Sequence, residues 1–137
     1  MRDEKKIEIL ILDDEPIVCK RLKPALEKQG YAVETFYSSR DAARRIHEKT
    51  FDIVVTDLKM DGMNGMQFLS EVKRVSQATQ VIIITGYGSM ETAKESFKLG
   101  VFDFLTKPFK LGEIQEIIKK AEKKLREVDE DPANTGY

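Results

Sequence analysis

Short apolar runs separated by longer amphipathic segments organise the whole chain. The first run, residues 7–12, is apolar except for Glu8 and is followed at once by acidic residues, which indicates a strand buried on both faces. Similar runs at residues 32–36, 52–56, 80–85 and 101–105 predict further strands. The alternation of strand and helix predicts an α/β fold: a doubly wound parallel sheet with helices on both faces.

The segments between these runs have helical spacing and predict helices over residues 15–29, 39–49, 65–76, 89–99 and 111–128. Pro16 suits a first helical turn, and Gly30 and Gly100 suit C-terminal stops. Pro24 lies inside the first predicted helix, where it removes one backbone hydrogen bond and predicts a kink.

The last predicted helix carries an apolar stripe that fits packing on the sheet. Its members are Leu111, Ile114, Ile118, Ala121, Leu125 and Val128. We expect Leu125 and Val128 to lie beyond the docked length. Two positions leave open whether this overhang begins a coiled coil between two copies.

The composition is that of one globular domain. The chain has 137 residues, 41% hydrophobic and 34% charged, with a formal net charge of -1, so no basic surplus points to nucleic acid. Cys19 is the one cysteine and His47 the one histidine, which excludes an internal disulfide and a Cys/His zinc site. We expect a cytoplasmic domain over residues 1–128, without contact to a membrane, and a disordered tail or linker start over 129–137.

Polar side chains stand where the predicted strands end. Asp13 and Asp14 follow the first strand and Asp57 the third, while Thr85 ends the fourth and Lys107 follows the fifth. Doubly wound sheets bind ligands beyond the carboxyl ends of their strands, so these side chains should converge. Three carboxylates repel unless a cation such as Mg2+ joins them, and the set suits phosphoryl transfer to the Asp57 carboxylate.

Four sequence motifs at these strand ends resemble the receiver domains of two-component response regulators. They are residues 9–15 (ILILDDE), 54–60 (VVTDLKM), 83–86 (IITG) and 104–109 (FLTKPF). Residues 85–93 and 99–104 are most similar to receivers of enhancer-binding transcription activators. The resemblance covers about residues 7–125 and implies a five-stranded sheet with the flavodoxin-like order 2-1-3-4-5.

The resemblance also implies roles for the residues at the strand ends. Asp57 would accept a phosphoryl group from the phosphohistidine of a sensor histidine kinase. Asp14, Asp57 and the backbone carbonyl of Lys59 would bind Mg2+, with Asp13 acting through water. Thr85 and Lys107 would contact the phosphoryl group. The chain would then be a switch rather than an enzyme, catalysing only its own phosphoryl transfer and dephosphorylation.

The resemblance also implies that Thr85 and Phe104 act as the switch residues. In the family, the threonine hydroxyl turns toward the new phosphate and an aromatic residue moves inward behind it. Phe104 resembles that aromatic but has no hydroxyl, so its inward state would rest on packing alone. We expect an output domain or downstream protein, or a second copy, to read the face formed by the fourth helix, fifth strand and fifth helix, with no direct nucleic-acid binding.

The loops around the site depart from the family pattern at positions that affect the lifetime of the phosphorylated state. Asp61 stands where a proline is usual, and Lys59 and Tyr87 flank the path of the hydrolytic water. A long lysine and a bulky tyrosine would obstruct that path, which predicts a phosphorylated state lasting minutes or longer. The Lys107-Pro108 peptide resembles a family feature that is usually cis.

Other functions fit the residues less well. An aspartate-nucleophile phosphatase expects two aspartates separated by one residue, and a receiver-like module that is not phosphorylated typically lacks one of the site residues. A flavodoxin-like carrier would need hydroxyl and glycine residues where this chain has residues 13–15. We further expect Cys19 to be a partly exposed bystander and His47 to be solvated without a nearby partner.

Overall fold

A computed structural model describes residues 5–59, 64–86 and 90–130 of the chain. Five strands alternate with five helices in the order β1(Glu8–Leu12), α1(Pro16–Lys28), β2(Ala32–Phe36), α2(Ser39–Glu48), β3(Ile53–Thr56), α3(Gly65–Val75), β4(Gln80–Thr85), α4(Met90–Lys98), β5(Asp103–Thr106) and α5(Leu111–Glu130). All strand pairs are parallel, in the sheet order β2-β1-β3-β4-β5. The predicted fold class and strand order are confirmed.

Side chains of the sheet alternate between two separate cores. In β1, Ile9 and Ile11 pack into a cluster with residues of α1 and α5, whereas Leu10 and Leu12 pack into a cluster with residues of α2 and α3. Because successive side chains of a strand point to opposite faces, a strand covered on both sides must be apolar throughout. This explains the unbroken apolar run that predicted the strand.

The edge strand β5 begins two residues later than predicted, at Asp103 rather than Val101, and ends at Thr106. Val101 is buried but its N–H bonds to the Ser96 carbonyl, so it belongs to the turn after α4. Within β5, Phe104 is partly buried against the α2/α3 cluster, and Leu105 against the α1/α5 cluster. Neighbouring residues of one edge strand therefore contact both cores.

The helix ends agree closely with their sequence signals. Pro16 is the first residue of α1, which runs on through Pro24, and Gly30 and Gly100 adopt φ values of 99° and 93° after α1 and α4. Such positive φ angles favour glycine, since a Cβ would be strained there. The predicted cis peptide before Pro108 is confirmed.

The last helix differs from its prediction at the C-terminal end. It continues to Glu130, so Asp129 and Glu130, assigned to the tail, are helical, and residues 131–137 lie outside the described residues. Leu125 packs partly buried against the α1/α5 cluster, so placing it beyond the docked length was wrong. Tyr31 explains the longer contact: its hydroxyl donates to Glu122 at 2.8 Å, and this carboxylate also accepts from Arg126.

Two expectations about single residues were also wrong. Cys19 is 1% exposed, because its position in α1 faces the sheet, and its Sγ lies 3.9 Å from the Asp13 carbonyl oxygen. His47 has a partner, since its Nε2 lies 2.6 Å from a carboxylate oxygen of Glu71 on α3. Neither contact was visible in sequence because each joins separate elements. Within the described residues, no helix is long and apolar enough to cross a bilayer.

Candidate functional site

Strand register brings the first acidic residues together at the carboxyl edge of the sheet. Leu12 of β1 pairs with Thr56 of β3, so Asp13 and Asp57 each stand one residue beyond a paired position. The Asp57 N–H donates to the Leu12 carbonyl oxygen at 3.1 Å, which continues the ladder past the strand end. The side chain of Asp13 is fully buried, and that of Asp57 is 7% exposed.

The basic and hydroxyl residues reach the same edge from β4 and β5. Thr85 is fully buried and pairs in register with Thr106, and its carbonyl oxygen accepts from the Lys107 N–H at 2.8 Å. The Lys107 Nζ lies 2.9 Å from Asp57 Oδ2 and 2.8 Å from Asp13 Oδ2. The predicted convergence of these residues is therefore observed.

Electrostatic effects at the site oppose one another. Burial raises the pKa of the Asp13 carboxyl above its usual value, although Lys107 and the backbone N–H of Glu15 act to lower it. Burial also acts to lower the pKa of the Lys107 ammonium, but its close contacts with the carboxylates of Asp13, Glu15 and Asp57 outweigh burial and raise it. Lys107 is therefore protonated throughout the physiological range and supplies the positive charge that the buried carboxylates need.

The carboxylates have the chemistry of a site for a hard cation. One oxygen each from Asp13, Asp14 and Asp57 lie within 4.8 Å of one another. Asp13 Oδ2 is buried and, among the described residues, accepts no well-directed hydrogen bond despite its ion pair with Lys107. A cluster of oxygen ligands with a free lone pair suits Mg2+. Lys59 borders the cluster, and its N–H donates to Asp57 Oδ1 at 3.1 Å.

Glu15 is a member of the site that the sequence analysis treated only as the start of a helix. Its Oε1 lies 2.7 Å from the Lys107 Nζ, while its backbone N–H donates to Asp13 Oδ1 at 2.8 Å. Three successive acidic residues were the available signal. The side-chain contact itself spans 92 positions in the chain, which local sequence patterns cannot show.

Gly65 was also missed as a determinant of the site. A Cβ at this position would collide with the backbone of Asp57 and Leu58, and the Gly65 N–H donates to the Leu58 carbonyl oxygen at 2.9 Å. Asn64 and Gln67 form a capping box that starts α3 at this point. Only glycine lets the helix begin against the loop that carries Asp57, and the Asn-x-x-Gln spacing was the signal for that start.

The remaining predicted positions are Phe104, Asp61 and Tyr87. Phe104 is on β5, half-buried and in register with Ile83 of β4. Asp61 and Tyr87 lie outside the described residues, so the prediction of a slow hydrolysis remains untested.

Comparison with known proteins adds independent findings. The family model described as response regulator receiver domain matches residues 9–119. The chain is 40% identical over 116 residues to the transcriptional regulatory protein ZraR of Salmonella typhimurium, covering 85% of this chain and 26% of that protein. It is 37% identical over 117 residues to the transcriptional regulatory protein GlrR of Escherichia coli K12, again covering 85% and 26%. The chain thus spans about a quarter of the length of these relatives.

Solved structures agree over nearly the whole of each matched chain. A CheY-like response regulator receiver domain protein from Methanospirillum hungatei superposes with a TM-score of 0.87 at 26% identity, covering 90% of this chain and 98% of that one. The beryllofluoride-activated NtrC4 receiver domain dimer superposes with a TM-score of 0.81 at 35% identity, covering 86% of this chain and 98% of that one.

Proposed function

The chain belongs to the response regulator receiver domain family, and from this premise we propose that it is a phosphorylation-dependent switch with Asp57 as its phosphoryl acceptor. The observation that carries the assignment is the pairing of the Asp57 carboxylate with Lys107 at 2.9 Å, beside Asp13 and Asp14. A carboxylate nucleophile, a fixed cation and further metal-binding oxygens are the parts that phosphoryl transfer requires.

The reaction we propose takes the phosphoryl group from a phosphohistidine of a sensor histidine kinase. An oxygen of the ionised Asp57 carboxylate forms the new P–O bond as the P–N bond to histidine breaks, and the electron pair of that bond stays on the ring nitrogen, which takes a proton. No general base is needed because the nucleophile is already charged. The Lys107 ammonium stabilises the negative charge on the phosphoryl oxygens, and the Thr85 hydroxyl donates to one of them.

Mg2+ is the cofactor we propose, held by Asp14, Asp57 and the backbone carbonyl of Lys59, with Asp13 acting through water. When bound, it neutralises charge on the phosphoryl oxygens and on the carboxylates that surround them. The buried Asp13 Oδ2, which accepts no well-directed hydrogen bond, supports this role. The protein's own contribution is to hold the acceptor still: Lys59 donates its N–H to Asp57 Oδ1 while Lys107 holds Oδ2.

Readout of the phosphorylated state is proposed to start at Thr85 and Phe104. Thr85 is buried beside the acceptor, and Phe104 lies on the neighbouring strand, partly buried against the α2/α3 cluster. Phe104 therefore has both the location and the partial exposure needed to move further inward. Hydrolysis of the acyl phosphate is proposed to take minutes or longer, because the long, exposed Lys59 stands two residues beyond Asp57 and its backbone N–H bonds to the Asp57 carboxylate.

The partner surface we propose is the face of α4, β5 and α5. Phe97 in the last turn of α4 and Leu99 just after the helix are 49% and 40% exposed, and large exposed apolar side chains mark interaction surfaces when they cluster. Relatives such as ZraR and GlrR are transcriptional regulatory proteins, and the NtrC4 receiver is a dimer in its beryllofluoride-activated form. We accordingly propose a cytoplasmic switch that controls a transcription-regulating output domain, through a second copy of this receiver.

The proposal is tested by incubating the chain with Mg2+ and acetyl phosphate and measuring its intact mass. We expect a gain of one phosphoryl group, and no gain for Asp57→Asn or without Mg2+. The matched control is Asp52→Asn, at the opposite end of β3, where Asp52 Oδ2 accepts the Glu8 N–H at 2.8 Å. An asparagine oxygen can accept the same bond, so this variant should be phosphorylated like the wild type.

Two outcomes would reject the assignment of Asp57. One is the absence of any mass gain in the wild-type chain while it is folded and supplied with Mg2+. The other is an equal gain in the wild-type chain and in Asp57→Asn, which would place the phosphoryl group elsewhere.

A further inference from the structure

Lys107 has three N–H donors and meets three carboxylates. Besides Asp13 and Asp57, its Nζ contacts Glu15 Oε1 at 2.7 Å, the shortest of the three ion pairs. Its N–H groups donate to Glu15 Oε1 and Asp57 Oδ2, whereas the contact with the buried Asp13 Oδ2 is an ion pair without a well-directed hydrogen bond. The cation that would receive a phosphoryl group is therefore already surrounded by carboxylates.

The three carboxylates differ in how easily each can separate from the Lys107 ammonium. The side chain of Glu15 is 58% exposed, against 0% for Asp13 and 7% for Asp57. A released Glu15 would be hydrated, whereas a released Asp13 would stay buried without its counter-ion, which costs far more. Glu15 is consequently the contact that an incoming anion can displace.

Among the described residues, the Glu15 side chain has no other structural role. Glu15 is the N-cap residue of α1, yet its side chain makes no capping hydrogen bond. The backbone N–H that bonds to Asp13 is present whatever the side chain. Replacement of this side chain should therefore leave α1 and the Asp13 loop in place.

We propose that Glu15 is a positioning residue that occupies Lys107 in the unphosphorylated chain and competes with the phosphoryl group for it. The inference rests on the proposed function of Asp57 and deepens it. Glu15 and Asp57 contact the same nitrogen, so a phosphoryl group on Asp57 arrives beside a second carboxylate, and like charges repel. Glu15 thereby weakens the phosphorylated state relative to the unphosphorylated one and holds the switch off when no donor is present.

The test is a charge series at position 15, with beryllofluoride and Mg2+ standing for the phosphoryl group. Binding is followed by NMR titration of the backbone amides in the wild-type chain, Glu15→Gln and Glu15→Lys. We expect affinity to rise in that order, by about 1.5-fold to fivefold at each step, the size of an exposed charge interaction. The gain should shrink in high salt, because exposed charges are screened. A merely structural role would produce neither the order nor the salt dependence.

The matched control is Glu27→Gln on the same helix, where Glu27 pairs with Lys23 at 3.0 Å and both side chains are exposed. It should bind beryllofluoride like the wild type. Equal affinity across the charge series, or weaker binding by Glu15→Gln in a chain that melts at the wild-type temperature, would overturn the role of Glu15. If acetyl phosphate still phosphorylates the wild-type chain in that case, the proposed role of Asp57 stands while that of Glu15 is rejected. If Asp57 accepts no phosphoryl group, both proposals are rejected together.

Discussion

At the scale of single residues, burial decides which side chains are chemically available. Asp57 and Lys107 keep a small exposed fraction at the sheet edge, whereas Cys19, whose Sγ lies 3.9 Å from the Asp13 carbonyl oxygen, is 1% exposed. Burial, followed by the nearby charge of Asp13, raises the pKa of the Cys19 thiol to about 11. The thiol is therefore both enclosed and protonated at neutral pH.

Cys19 should react very slowly with iodoacetamide in the folded chain. The thiolate is the reactive form, and a pKa raised from 9.0 to about 11 reduces its population about hundredfold at neutral pH. Enclosure slows the reaction further. The measurement is the rate of mass gain at pH 8, with and without denaturant. Comparable rates in both states would contradict the buried position.

The raised pKa of the Cys19 thiol also predicts how the stability of the folded chain depends on pH. Because the folded pKa is above the unfolded one, the buried thiol contributes stability below about pH 9 that is lost as the pH rises through about 11. Cys19→Ala should show a shallower decrease in the free energy of unfolding over that interval, measured by denaturant titration. An unchanged slope would remove Cys19 as its cause.

At the scale of elements, the start of α3 is fixed by the missing side chain of Gly65. Gly65→Ala should destabilise the chain by about 1–3 kcal/mol, because the added methyl must displace the backbone that carries Asp57. It should also weaken beryllofluoride binding. Denaturant unfolding and NMR titration measure the two effects.

The control for this substitution is a helical glycine with open space around it. Gly112 lies in the first turn of α5, and nothing stands within 4 Å of a Cβ built there. Gly112→Ala should be neutral or stabilising by up to about 1 kcal/mol, since alanine favours helix. Equal effects of the two substitutions would mean that helix propensity, and not the close approach to Asp57, decides the outcome.

Helices α2 and α3 meet at Glu71, whose carboxylate contacts Arg74 of its own helix and His47 of α2, and these contacts should make stability depend on acid. Arg74, followed by His47, holds the pKa of Glu71 down to about 2. The Glu71 carboxylate therefore stabilises the folded chain above about pH 4.5, the pKa of the unfolded glutamate. This stabilisation is lost as the pH falls through about 2, the folded pKa. Glu71→Gln should melt below the wild type at pH 6 and at the same temperature near pH 2.

Calorimetry across this pH range provides the check, with Glu116→Gln on α5 as the control. Glu116 is exposed and lies 3.8 Å from Lys120, so its replacement should leave the pH profile unchanged. A constant difference in melting temperature between the wild type and Glu71→Gln at every pH would show that the carboxylate's charge is not the cause.

The elements themselves were predictable because their signals are local. Apolar runs, Pro16, Gly30 and Gly100 each act within a few residues, and the helix and strand bounds agree to within two residues. The order of the site residues along the chain likewise predicted their meeting, since parallel strands end at one edge. Contacts such as Glu15 with Lys107, His47 with Glu71 and Tyr31 with Glu122 join side chains far apart in sequence, and nothing local encodes them.

At the scale of the whole molecule, the two edges of the sheet present different surfaces. The α4 end exposes Phe97 and Leu99, while beyond β2 at the other edge Tyr37 is 49% exposed. If the α4, β5 and α5 face joins two copies, one edge should carry the dimer and the other should not.

We predict that Mg2+ and beryllofluoride shift the chain from monomer toward dimer, measured by light scattering after size-exclusion chromatography. Phe97→Ser should reduce this shift, since it removes apolar contact area from the proposed interface. Tyr37→Ser replaces an aromatic of equal exposure at the opposite edge and should dimerise like the wild type. If Tyr37→Ser weakens the dimer and Phe97→Ser does not, the interface lies at the β2 edge and the proposed α4, β5 and α5 face is rejected.

The edge strand β5 has a consequence for how a local event spreads. Phe104 and Leu105 are consecutive residues, yet one belongs to the α2/α3 cluster and the other to the α1/α5 cluster. Thr106 follows them and pairs with Thr85, at the sheet edge that carries the proposed phosphoryl acceptor. A small displacement of this strand perpendicular to the sheet would press one side chain into its core while withdrawing its neighbour from the other. One local movement would therefore change the packing of both helical layers at once.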